Sequence, residues 1–220
     1  MSATEYIVTD YLNDPAVPHP FGDTPKGKNQ AARVLMKAMW PAIGDVVVKG
    51  REAMDWLKKG ARAIIKGMGE NVEPVIRWDT PSGFPAAQAY FEAKVHRIDT
   101  RLHGTVRIRV LSETDDADPV KHASGLAPNF VHSMDAAHLH LTTAAAAEHG
   151  LSLAMIHDDY GTHAADAQKL YSIIRRQFVH MYAEHDPVKD LRERYPVLPE
   201  PPSRGGLDIH EVLKSDYFFS

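Results

Sequence analysis

The 220-residue chain contains no cysteine. Disulfide staples and thiolate metal ligands are thereby excluded, and a cytoplasmic setting is the default expectation. It also lacks any run approaching the roughly 20 consecutive apolar residues of a membrane span. The N-terminal stretch MSATEYIVTDYLNDP has no basic start followed by an apolar core, so it does not read as a secretory signal. A large excess of one charge is missing too: the net charge is −4. With 44% hydrophobic and 25% charged residues, a folded chain is expected rather than a disordered one. What charge there is lies unevenly. From Arg33 to Lys66 eight basic residues face three acidic ones, and from Lys94 to Arg109 five face one. Such a stripe suits a phosphate backbone, and a solvated helix face explains it equally well.

Periodicity divides the chain. Residues 13–29 are rich in Pro and Gly and read as irregular. From about Gln30 to Lys66 apolar residues recur every three or four positions, which predicts helix, with Pro41 splitting or kinking it. VIRW (75–78) and AAQAY (86–90) flank a turn with Pro81 and Gly83, and a second hairpin is expected around His103-Gly104. The acidic segment 112–123 reads as a surface loop. A long helix is predicted to end at Gly150, with Phe130, Met134, Ala137 and Leu141 on its apolar stripe and His132 and Asp135 off it. A strand-like LSLAMI, a His-Asp-Asp turn and a short return strand follow. The next helix, from Ala164 to about Glu184, buries Leu170, Ile173, Ile174, Phe178 and Met181. Residues 186–206 read as irregular, and the tail as a short helix with an aromatic end. The class is α+β, mostly helical, with β-hairpins.

The candidate chemistry sits at His157-Asp158-Asp159. Successive strand residues face opposite sides, so Asp158 and Asp159 cannot easily hold one ion together. A hairpin-tip carboxylate with oxygen donors suits Mg²⁺ or Mn²⁺ better than zinc. A pair of such ions about 4 Å apart can activate a hydroxyl and stabilise a leaving oxygen. By spacing alone a solvated hairpin end remains open.

SGLAPNFVHSMDAAHL, followed by MIHDDYGTHAAD, resembles the C-terminal part of the single-subunit RNA polymerases of bacteriophages and mitochondria. EAMDWLK, WDTPSGFPAAQAY and the terminal SDYFFS resemble segments of that family in the same order. The resemblance runs from about Asn29 to Ser220. It implies a partial right-hand polymerase fold: an irregular leader at 1–28, fingers-side helices and hairpins at 29–123, and a palm portion at 124–220. That palm would contain a metal-binding hairpin (151–163) and a C-terminal foot. Carried over by residue, Asp158 is implied as catalytic and as ligand of both magnesium ions. His157 would face the RNA end or triphosphate, and His132 would contact the primer–template duplex. Phe218, Phe219 and Ser220 would form the foot. Trp56, Trp78 and Phe84 match motif positions but read as core residues.

The same resemblance implies that the second metal-binding aspartate and the nucleotide-binding lysine and tyrosine are not in this chain. The expectation is therefore the catalytic C-terminal portion of a DNA-directed RNA polymerase, inactive alone, as a small subunit of a split enzyme or as a gene fragment. Its partners would be a DNA template, an RNA product, ribonucleoside triphosphates and a larger polymerase subunit, in the host cytoplasm if phage-encoded. A non-catalytic nucleic-acid-binding module, an inactive fragment and a metal phosphohydrolase built on His157-Asp158 are the alternatives.

Overall fold

The structure, a computed structural model, describes residues 3–69, 72–101, 106–156 and 159–218. The chain divides into two compact units, residues 1–52 and 53–220. In the first, α1 (Ala3–Tyr6) runs into wider helical turns at Ile7–Tyr11, and α2 (Pro25–Val46) starts where the Thr24 hydroxyl accepts the Gly27 amide. The expected irregular leader at 1–28 is thus helical at both of its ends. Leu12, Ala31 and Ala32 form this unit's small core. Pro41 does not split the helix; α2 continues through it, and the break falls at Val47. Lys37, whose carbonyl loses its donor, is exposed, so water can satisfy it.

Helix α3 (Val48–Gly67) crosses the unit boundary, and its buried face, Trp56, Leu57, Ala61 and Ile64, lies in the second unit. Two hairpins follow. In the first, β1 (Val75–Asp79) pairs antiparallel with β2 (Pro85–Ala89), and Gly83 supplies the left-handed residue of the turn at φ +79°. In the second, β3 (Phe91–Thr100) pairs with β4 (Val106–Ala117), with a register irregularity near Phe91. Its expected tip at His103-Gly104 lies outside the described residues. Helix α4 (Pro119–Glu148), about 45 Å long, is the spine of this unit. Hairpin β5 (Ala154–Ile156) and β6 (Asp159–Gly161) leads through a short turn to α5 (Ala167–Glu184), then α6 (Pro187–Arg194) and a final helical turn at Ile209–Leu213. The α+β class holds, mostly helical, with small antiparallel hairpins.

Two expected loops are ordered instead. The acidic segment 112–123 is the end of β4 and the start of α4, and 187–194 is α6. Both helices open on Asp-Pro. Asp118 accepts the amides of Val120 and Lys121, and Asp186 accepts that of Lys189, while each proline sits at the first helical position where no amide donor is needed. Gly150 closes α4 as expected, at φ +69°. Phe84 is a correction: it is 58% exposed and meets the ring of His140, whereas Trp56 and Trp78 are buried.

The main core joins α3, β1, α4, α6 and Leu198, with Trp78 at 5.9 Å from Phe130 and its indole N–H donating to Ser133 Oγ at 2.8 Å. Beside it, β2 is pinned to α4 by a polar cluster. Gln88 Nε2 donates to the His122 carbonyl at 3.1 Å, and the Tyr90 amide donates to His122 Nε2 at 3.2 Å, which places the ring proton on Nδ1. Asn129 donates to Gln88 and to the Tyr90 hydroxyl. This cluster needs Gly125, because a Cβ there would sit 2.7 Å from Tyr90 Cε2. Alanine would gain roughly 1 kcal/mol of helix propensity over glycine. Displacing Tyr90 and its hydrogen bond costs about 1–3 kcal/mol. Gly125→Ala is therefore expected to lower the urea midpoint with an unchanged slope; a raised midpoint would show that Tyr90 yields freely.

Candidate active-site hairpin

The stretch before the His-Asp-Asp turn is apolar because it caps a second core. Leu151 and Leu153 join Ala146 of α4 and Leu170, Ile173 and Ile174 of α5, with Tyr160 and Phe218 packed against them. The β5–β6 register pairs Ala154 with Gly161, Met155 with Tyr160 and Ile156 with Asp159. His157 and Asp158 are the two residues between the paired ends, and both lie outside the described residues. Thr162 ties the base of the hairpin by donating to the Ser152 carbonyl at 2.8 Å. The Thr143 hydroxyl of α4, which donates to the Leu139 carbonyl at 2.7 Å, also lies 3.1 Å from Met155 Sδ, so the hairpin rests against the helix. Asp159 and Ile156 are exposed at the strand ends.

Beneath the hairpin lies a histidine that sequence reasoning missed. His138 is 5% exposed, and its Nε2 donates to the Ile174 carbonyl of α5 at 2.8 Å. That bond fixes the neutral tautomer, which leaves Nδ1 as acceptor for the Tyr160 hydroxyl at 3.4 Å. Burial holds its pKa below the ordinary histidine value, in agreement with that tautomer. The same ring stands edge-on to Phe178 at 5.5 Å and to Tyr160 at 6.1 Å. One side chain thus joins α4, α5 and β6. The signal was in the spacing, since His138 follows Phe130 and Met134 at helical intervals of four on the apolar stripe.

Arg175 is a second such residue. It is 5% exposed on α5 and reaches the C-terminal segment. Phe218 packs back on α5, its ring 4.9 Å from Phe178, while Phe219 and Ser220 lie outside the described residues. His132 and Asp135 are exposed on α4, off the apolar stripe as expected, and His132 has no hydrogen-bond or ion-pair partner among the described residues. The structure therefore brings Tyr160, His138 and Phe218 together and leaves His132 outside that cluster. Among the described residues no three histidine or carboxylate side chains converge on a common point.

His122 is likewise held below the ordinary histidine pKa by burial. Below pH about 6.5 the unfolded chain takes up protons that the folded chain refuses at both histidines, so stability falls with acidification from there. Thermal melts between pH about 7 and 5 should show a declining midpoint; a flat profile would mean that the two rings are hydrated.

The profile of the family described as DNA-dependent RNA polymerase matches residues 2–197. The DNA-directed RNA polymerase of Enterobacteria phage T3 is 35% identical over 213 residues, covering 87% of this chain and 24% of that protein. The T7 RNA polymerase of Escherichia phage T7 is 34% identical with the same coverage. DNA-directed RNA polymerase 1, mitochondrial, of Nicotiana sylvestris is 36% identical over 195 residues, 86% of this chain and 19% of the relative. The chain spans about a quarter of the length of its phage relatives. With its long central helix, its hairpins and the motif-bearing turn in the matched region, the chain belongs to the DNA-dependent RNA polymerase family, of the phage, mitochondrial and chloroplast kind.

Proposed function

We propose that this chain is the C-terminal catalytic portion of a DNA-directed RNA polymerase. It contributes Asp158 as one of two metal-binding aspartates, and the remaining polymerase motifs are supplied outside these residues. The observation that carries the reading is the identity of 33–37% to such polymerases across most of the chain, the matched region including the His157-Asp158 turn. Residues 29–123 then serve as the fingers side and 124–220 as the palm portion with its hairpin and foot. Mg²⁺, held by Asp158 and a carboxylate from elsewhere in the enzyme, would stabilise the charge of the transferring phosphoryl group. His157 faces the RNA end or the triphosphate, and His132, exposed on α4, is free to meet the primer–template duplex. Phe218 contributes to the foot through its packing on α5, and Phe219 and Ser220 complete it. DNA template, RNA product and ribonucleoside triphosphates are the partners. No helix among the described residues is long and apolar enough to cross a membrane.

The need for a further polymerase portion is supported by helix α2. Val34, Leu35, Met39, Trp40, Ile43 and Val46 are all exposed along it. Apolar surface of that extent marks an interaction face, and in this reading the missing polymerase portion covers it.

A second reading, a nucleic-acid-binding module without catalysis, has one observation in its favour. Arg97 and Arg109 stand directly opposite each other on β3 and β4, next to the Asp99–Arg107 pair, on a hairpin exposed along both strands. Like charges so placed repel unless an anion lies over them.

Extension of an RNA primer on a DNA template, with the chain mixed with a polymerase portion carrying the missing motifs, tests the first reading. Asp158→Asn should abolish nucleotide addition and leave duplex binding intact; near-normal extension by that variant would remove Asp158 from the metal site, and binding without extension by the wild-type mixture would favour the second reading. Trp40→Glu should prevent association with the added portion. In the isolated chain the same change should move stability by no more than about 0.5 kcal/mol, as is usual for an exposed position.

A further inference from the structure

We infer that Arg175 is a positioning residue: it locks the C-terminal segment onto α5, and through Phe218 and His138 that docking orders the β5–β6 hairpin. The guanidinium is buried, and no carboxylate lies within ion-pairing distance of it among the described residues. An unaccompanied charge in such a place is strongly unfavourable, so its partners must come from elsewhere. They come from the tail. Nη1 donates to the Val212 carbonyl at 3.1 Å and to the Ser215 carbonyl, and Nη2 reaches the Asp216 carbonyl at 3.4 Å. Nη2 also donates to the Tyr171 hydroxyl, which in turn donates to the Asp216 carbonyl at 3.2 Å. The cation lies 4.1 Å from the Tyr171 ring centroid and 5.8 Å from that of Phe218.

Val212 lies in the helical turn Ile209–Leu213, and Ser215 lies two residues beyond it. Carbonyls at a helix end lack internal donors, and here the planar fork of an arginine supplies several at once. The dependence is mutual. Without the tail, Arg175 is a buried cation with too few acceptors; without Arg175, the tail carbonyls lose their donors and Phe218 its anchor. Phe218 stands on Phe178 at 4.9 Å, Phe178 stands on His138 at 5.5 Å, and His138 accepts from Tyr160 in β6. A hairpin of two three-residue strands has little order of its own, so what backs it decides its rigidity.

The value of this lock for catalysis rests on the proposed role of Asp158, but the lock itself can be measured without nucleotide addition. Amide hydrogen exchange on the full chain, compared among wild type, Arg175→Ala, Arg175→Lys and Phe218→Ala, is the experiment. Arg175→Ala should raise exchange about tenfold or more in residues 212–218 and also in 154–161, while β1 and β2 keep their protection. Arg175→Lys, which keeps the charge but not the fork, should fall between wild type and alanine. A tail that exchanges faster while 154–161 is unchanged would overturn the proposal, as would a lysine variant equal to wild type. If Arg175→Ala loosens β1 and β2 as well, Phe218→Ala decides, since it leaves the guanidinium paired. Faster exchange confined to the tail and hairpin supports the coupling, and none in the hairpin refutes it. Loss of extension in Asp158→Asn is a separate result, so either idea can fail alone.

Discussion

Everything in the larger unit hangs on the burial of neutral histidines along α4. A helix of this length meets two different cores, and at each it buries an imidazole that hydrogen-bonds a neighbour outside the helix. His122 binds β2 and the backbone of Tyr90; His138, sixteen residues on, binds α5 and β6. About 24 Å of rigid helix separates them. Leucine would pack at either site but could not specify which strand or helix lies opposite. A buried imidazole accepts only neighbours that offer the right donor and acceptor, so the two histidines fix the partners of α4 as well as its packing.

The sequence was legible where periodicity alone decides structure. The long helix closing at Gly150, the hairpin with Gly83 in its turn, the buried face of α5 and the exposure of His132 and Asp135 all follow from spacing. The two segments read as loops share a cause: capping chemistry outweighs local composition. Residues 118–119 and 186–187 are Asp-Pro pairs, a strong start signal for a helix, yet the surrounding acidic or proline-rich composition suggests loops. His138 and Arg175 escape a sequence reading for a different reason. Each sits where its spacing demands burial, and the carbonyls that make burial tolerable lie 36 or more residues away. No local pattern reveals them.

Membership of the polymerase family and the partial coverage of its relatives fit one physical picture. The second unit has its own core and pinned hairpins, whereas α2 in the first carries a row of exposed apolar side chains. The β5–β6 hairpin belongs to the second unit. Its backing histidine and docked tail lie within this chain, and no converging set of metal donors accompanies it among the described residues.

The β3–β4 ribbon has a consequence of another kind. It is a sheet of only two strands, so each strand is an edge along its whole length and offers unpaired amides and carbonyls to any other chain. Charged side chains on such an edge discourage strand-to-strand aggregation whatever else they bind. Arg97, Arg107 and Arg109 are therefore solubility guards as well as candidate anion contacts. Replacing them to probe nucleic-acid binding would also disarm the edge, so precipitation of such a variant would reflect self-pairing of ribbons and would say nothing about recognition.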